Sequence, residues 1–343
     1  MKQPRRYFLR TGALALLSAP LLSLTQEEKK GKSLSLIRPP ALKTGDTIAI
    51  TSPAGAVWDS HQVDVFVAIL QGLGFKVKKG QTLTERYGFF AGKDELRAKE
   101  LNDLFTDREV KAIFCMKGGW GCARLLPLIN FGNISANPKI IMGFSDITSL
   151  LIAIQAKTGM TTFHGPVGNS GWNDFTVGYL KRVLMTGETV TYLSTGKQED
   201  IPLVINPGKA TGMLCGGNLS VLAGMMGSAY LPSWKNKILF LEETGEEPYR
   251  IDRMLTQLRL CGVLENLSGL IFGKCIKCTA DEPDKAFTFQ QVLEQNIKPL
   301  GIPAFYGAMI GHIENKFTVP VGIKAVMDAE KGTLTLLESA VKI

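Results

Sequence analysis

The residue with the clearest chemical potential is Ser145, in the run Ile140-Ile141-Met142-Gly143-Phe144-Ser145-Asp146-Ile147-Thr148. An apolar strand that turns straight into a helix lifts a serine above its sheet. It also sets it at a helix N-terminus, where free N–H groups and the dipole favour developing negative charge. That suits a nucleophile whose oxyanion is held by the N–H of Asp146. The competing reading is a helix cap, a role Ser and Asp both fill well. The second glycine of a Gly-x-Ser-x-Gly elbow is absent, because position 147 is Ile.

A serine nucleophile needs a base, and the chain has 3 His: His61, His164 and His312. His61, between Ser60 and Gln62 at the start of a helix, reads as solvated surface. His164 follows the strand after the Ser145 helix, and His312 sits in a polar loop beside Gly311, so residue context leaves the base role open between them. An orienting carboxylate is offered by Glu242-Glu243, at the end of the strand-like run Ile238-Leu239-Phe240-Leu241. Pleat alternation sends the two to opposite sides, one to a cleft and the other to solvent. Lys117-Gly118-Gly119-Trp120-Gly121 is a glycine loop after a strand and fits an oxyanion donor or substrate ledge, a plain tight turn, or a phosphate cradle. A dinucleotide fingerprint is missing, since the Gly-x-Gly-x-x-Gly spacing does not occur there. Cys275-x-x-Cys278 alone among the 6 Cys has ligand-like spacing. With no second pair and no nearby His, zinc is a weak reading, and a buried or incidental pair is expected over a disulfide or redox pair.

These residues must be carried by alternating elements. Strand-like segments at 46–51, 75–79, 110–116 and 139–144 alternate with helical spacing at 63–73, 94–106, 123–128 and 147–157. Such alternation predicts βαβ units and a mostly parallel sheet covered on both faces. The second half has strands at 237–241 and 267–275, helices at 249–260 and 288–297, and short strands around a Lys331-Gly332 turn within 318–341. The expected fold class is therefore α/β, with an N-terminal parallel-sheet domain (flavodoxin- or Rossmann-like) over 45–170. A linker at 171–205 would lead to a smaller mixed α/β domain over 206–343.

The 343 residues, 45% hydrophobic and 20% charged, exclude a largely disordered chain, a collagen or a coiled coil. The net charge is +8, but Lys2, Arg5, Arg6 and Arg10 supply four of those positives, so about +4 remains on the rest. That does not argue for nucleic acid. Pro4-Arg5-Arg6-Tyr7-Phe8-Leu9-Arg10 followed by the apolar run 13–22 resembles a twin-arginine export signal over 1–25, with 26–44 a polar linker. The expected location is the periplasm, with no permanent membrane span.

Taken together, Thr51-Ser52-Pro53-Ala54-Gly55, Gly118-Gly119-Trp120-Gly121, Gly143-Phe144-Ser145-Asp146, His164-Gly165-Pro166, Gly216-Gly217-Asn218-Leu219, Leu241-Glu242 with Pro248-Tyr249-Arg250, and Gly311-His312 resemble the L,D-carboxypeptidase family of serine peptidases, which includes the microcin C self-immunity peptidases. The match spans residues 36–340. The resemblance implies a triad of Ser145 (nucleophile), His312 (base) and Glu242 (orienting acid). It also implies an oxyanion hole from the N–H groups of Gly119 and Asp146, and Gly118 and Trp120 at the substrate. Trp120 stands where Tyr is common and Lys117 where Arg is common. The implied substrate is murein tetrapeptide or a related muropeptide cut before its terminal D-Ala, the implied assembly a homodimer, and no cofactor or metal is expected. An α/β-hydrolase esterase and a non-catalytic periplasmic binding protein are the alternatives outside the family.

Overall fold

The computed structural model describes residues 34–343, of which Ser35–Ile343 form one compact unit. The expected export signal lies outside the described residues, as do residues 26–33 of the expected linker after it. The first half carries β1 (Thr47–Thr51), α1 (Ser60–Gly72), β2 (Lys76–Lys79), α2 (Asp94–Thr106), β3 (Val110–Cys115), α3 (Phe131–Ala136), β4 (Ile140–Gly143), α4 (Thr148–Thr158), β5 (Thr162–His164) and α5 (Asp174–Leu184). The second carries β6 (Thr191–Tyr192), β7 (Leu203–Asn206), β8 (Lys209–Asn218), α6 (Leu219–Met225), β9 (Lys237–Thr244), α7 (Pro248–Leu260), β10 (Gly269–Ile276), α8 (Phe289–Ile297), β11 (Ala304–Ala308), β12 (Val319–Val321), β13 (Lys324–Asp328) and β14 (Thr333–Leu336). The helix expected at 123–128 is a 3₁₀ turn, Cys122–Leu128, with Pro127 inside it. Proline has no N–H for an α-helical ladder at that point. Residues 171–205 hold α5, β6 and the start of β7.

The first sheet has six strands in the order β12-β5-β4-β3-β1-β2. Its strands β1 to β5 pair in parallel, and β12 from the second half closes the edge antiparallel to β5. The order 2-1-3-4-5 is the flavodoxin-like winding, in which ligands sit beyond the carboxyl ends of the strands where the winding reverses, between β1 and β3. The second sheet has eight strands, β6-β14-β13-β8-β9-β10-β11-β7, with β8 to β11 parallel and the flanks antiparallel. The chain is thus α/β with a mostly parallel first sheet and a mixed second one.

Strand alternation explains the layering. In β1, Ile48 and Ile50 join one apolar cluster and Ala49 the other, so both faces of the first sheet are covered. The first cluster continues through Phe240 and Leu270 of the second sheet, so the two sheets share one core. The junction is tight at β8. A Cβ on Gly217 would lie 2.5 Å from the Thr148 side chain, and Asn218 N–H donates to Thr148 Oγ1 at 3.0 Å. Gly217 lets the N-terminal turn of α4 press against the second sheet.

Candidate active site

Ser145 follows β4 with φ +62°, a left-handed conformation uncommon for a residue with a side chain. Phe144 and Asp146 on either side are buried, whereas Ser145 is partly exposed. The turn is sharp because Gly143 allows it. A Cβ there would stand 2.9 Å from the side chain of Ile147, which folds back over the strand end. Ile147 is fully buried, and this packing is what occupies the place of an elbow's second glycine.

The glycine loop after β3 lies directly over this turn. A Cβ on Gly118 would be 2.7 Å from Ser145 Cβ, 2.9 Å from its Oγ and 3.3 Å from Asp146 N. The Asp146 carboxylate accepts the N–H of Cys122 at 2.8 Å, which ties the loop to the Ser145 turn. Burial pushes the Asp146 carboxyl up, opposed by that hydrogen bond. Among the described residues neither Gly119 N–H nor Asp146 N–H donates to a protein acceptor, so both are free for a ligand oxygen. The loop is braced from behind by Gly55 N–H donating to Gly118 O at 3.2 Å. Arg97, fully buried, donates to the carbonyls of Pro53 and Gly121, clamping the loops that follow β1 and β3. Residue-by-residue reading missed Arg97; its signal is a charged side chain on the apolar stripe of α2, beside Leu101 and Leu104.

The second sheet supplies the other groups. Glu242 lies near the end of β9 in register with Asn218, is completely buried, and its Oε2 is 2.8 Å from His312 Nδ1. In the tautomer in which Nδ1 donates to the carboxylate, Nε2 is the ring nitrogen left to accept a proton. His312 belongs to the loop after β11, where Gly311 at φ +125° lets the backbone pass within reach of Glu242. The expectation that one of Glu242 and Glu243 faces solvent does not hold. Glu243 is buried too and accepts from Asn218 Nδ2, Ser220 N–H and Thr244 N–H at 3.0, 2.8 and 2.9 Å. It closes the N-terminus of α6, which needs acceptors there.

His312 meets the first lobe at Phe144, with ring centroids 4.8 Å apart. The imidazole therefore stands against the residue that precedes Ser145, although no hydrogen bond joins Ser145 and His312 among the described residues. His164, at the end of β5, is buried between Phe144 and Phe240, its Nδ1 has no partner, and burial pushes its pKa down to about 4. His61 lies at the exposed start of α1. Trp120 is 54% exposed at the rim of the glycine loop. The expectation of an incidental pair at Cys275 and Cys278 is corrected: the two form a disulfide. It closes the turn after β10, where Cys275 is in register with Glu243. The i, i+3 spacing across a tight turn brings the sulfurs together.

Two family models match, LD-carboxypeptidase N-terminal domain over 48–165 and LD-carboxypeptidase C-terminal domain over 211–327. The Bacillus subtilis (strain 168) protein named "Probable murein peptide carboxypeptidase" is 38% identical over 305 residues, covering 87% of this chain and 94% of that one. The chain belongs to the LD-carboxypeptidase family. Among solved structures, MccF in complex with glutamyl sulfamoyl guanosine superposes with a TM-score of 0.82 at 27% identity, covering 89% of this chain and 99% of that one. The muramoyltetrapeptide carboxypeptidase of Oxalobacter formigenes superposes with a TM-score of 0.74 at 29% identity, covering 84% and 97%. As an LD-carboxypeptidase family member the chain is a peptidase, and the free N–H pair, the strained serine and the Glu–His pair form its candidate active site.

Proposed function

We propose that the chain is a serine-type L,D-carboxypeptidase that releases the terminal D-Ala of murein tetrapeptide. The observation that carries this reading is the Glu242–His312 contact of 2.8 Å beside Phe144, with Ser145 held at φ +62° under the glycine loop. Ser145 Oγ attacks the carbonyl before D-Ala as His312 Nε2 takes its proton, and Glu242 stabilises the imidazolium. The N–H groups of Gly119 and Asp146 receive the oxyanion, each worth about 2.7–4 kcal/mol in such sites. His312 returns the proton to the departing amine, and water then releases the acyl-enzyme. The Ser145–His312 hydrogen bond forms as substrate fills the gap, because catalytic contacts tighten in the substrate complex.

The test is incubation with murein tetrapeptide, with free D-Ala followed by mass spectrometry. Release by the wild type and none by Ser145→Ala is expected; equal release from both, or none from the wild type, refutes the reading. A second reading, hydrolysis of another acyl-amide such as a peptide–nucleotide antibiotic, draws on the likeness to MccF bound to glutamyl sulfamoyl guanosine. Turnover of such a conjugate without D-Ala release would favour it. We further propose that residues 1–25 export the protein and that it works as a homodimer. Cell fractionation of wild type against Arg5→Lys/Arg6→Lys, and light scattering of the purified protein, test these two points.

A further inference from the structure

A carboxypeptidase must recognise a free carboxylate, and the triad offers no cation for it. Lys316, four residues after His312, is buried at 5% exposure. Its ammonium lies 4.6 Å from the centroid of the Phe144 ring, the ring that stands 4.8 Å from the His312 imidazole. Its hydrogen-bond partner among the described residues is Ser170 Oγ at 3.3 Å. An ammonium has three donors, so two remain to be filled. No carboxylate lies within ion-pair distance of it among the described residues. Glu242, the acid that acts on it electrostatically, gives its Oε2 to His312, and His164 is the other titratable group facing it. A buried cation without an anionic partner is costly and calls for an anion. Consistently, burial pushes its pKa down to about 8, so the group still carries charge at neutral pH.

We infer that Lys316 is the anchor for the substrate's terminal carboxylate and so makes this site an exopeptidase. The inference rests on the carboxypeptidase reading above. His312 must hand its proton to the departing amine, so the leaving residue lies on the His312 side of Ser145. In an amino acid the carboxylate is one carbon from that nitrogen. His312 and Lys316 both contact the ring of Phe144, the residue before Ser145, so both ends of the leaving D-Ala would fall close to it. The ammonium would meet the carboxylate in a charge-assisted hydrogen bond.

The test uses binding, so that it does not depend on turnover. Calorimetry compares murein tetrapeptide with its C-terminal carboxamide on full-length Ser145→Ala. The same pair is then run on Ser145→Ala/Lys316→Met and Ser145→Ala/Lys316→Gln, with thermal melts confirming that each is folded. The acid is expected to bind about 10- to 100-fold more tightly than the amide to Ser145→Ala, the range for a hydrogen bond to a charged group. That preference is expected to fall to within about threefold in both double variants. Equal binding of acid and amide to Ser145→Ala, no binding of either, or a preference that survives loss of Lys316 overturns the anchor. So does equal weakening of both ligands, which would make the ammonium a partner of Glu242 only. Failure of the carboxypeptidase reading shows separately, as absence of D-Ala release by the wild type while the acid–amide preference persists.

Discussion

Glu242 and Glu243 are adjacent on β9, both buried, and serve different partners: Glu242 Oε2 meets His312 Nδ1 at 2.8 Å, while Glu243 accepts from Asn218, Ser220 and Thr244. The pleat separates an acid that orients an imidazole from one that closes a helix. Glu242→Gln is expected to lower kcat by about 10³–10⁴, as for other triads that lose the orienting charge. Glu243→Gln is expected to keep most activity and to lose about 1–3 kcal/mol of stability through its buried hydrogen bonds. Steady-state kinetics and denaturant titration on both variants check the split; a reversed pattern would exchange their roles.

Gly118 is constrained by its neighbour, because an added Cβ would stand 2.7 Å from Ser145 Cβ. Gly118→Ala must move the loop or Ser145. A fall in kcat of about 10²–10³, the cost of losing one oxyanion donor, is expected. The melting temperature should change little, since the loop is partly exposed. An alanine variant with wild-type kcat would show that the loop does not abut the reacting atoms.

His164 links acidity to stability. Its folded pKa, about 4, lies below the ordinary value of 6.5. Between those values the unfolded chain binds the extra proton, so stability rises with pH across that window and is lost as pH falls from 6.5 to 4. The full effect is about 3 kcal/mol. Denaturant titrations at pH 7 and pH 4.5 on wild type and His164→Gln should show a smaller acid loss in the variant. An unchanged difference would place the acid sensitivity elsewhere.

The Cys275–Cys278 disulfide closes a small loop after β10. Loop-closure entropy for four residues corresponds to about 2 kcal/mol of stability. Reduction, or Cys275→Ser/Cys278→Ser, is expected to lower the melting temperature by a few degrees. Thermal melts with and without a phosphine reductant test it; no shift in the wild type would mean the bond is not formed.

Much was legible along the chain. The helix read at 94–106 has those bounds in the structure, and the strand-to-helix turn at Ser145 is where the run Ile140–Gly143 places it. Such features depend on residues within a turn or two of one another, so apolar spacing, glycines and caps suffice to read them. The context of His164 and His312 left the base open, and resemblance alone preferred His312. The structure pairs His312 with Glu242 and walls His164 behind aromatic rings. The roles of Arg97 and Lys316 were hidden because their partners lie on other loops. Glu242 and His312 are 70 positions apart. What joins them is the parallel register of β9, β10 and β11 and the left-handed turn at Gly311. The sequence alone determined the elements and the chemical types at their ends. Which ends meet was decided by the packing of two sheets on a shared core, because a contact across a sheet depends on register and burial that no local window contains.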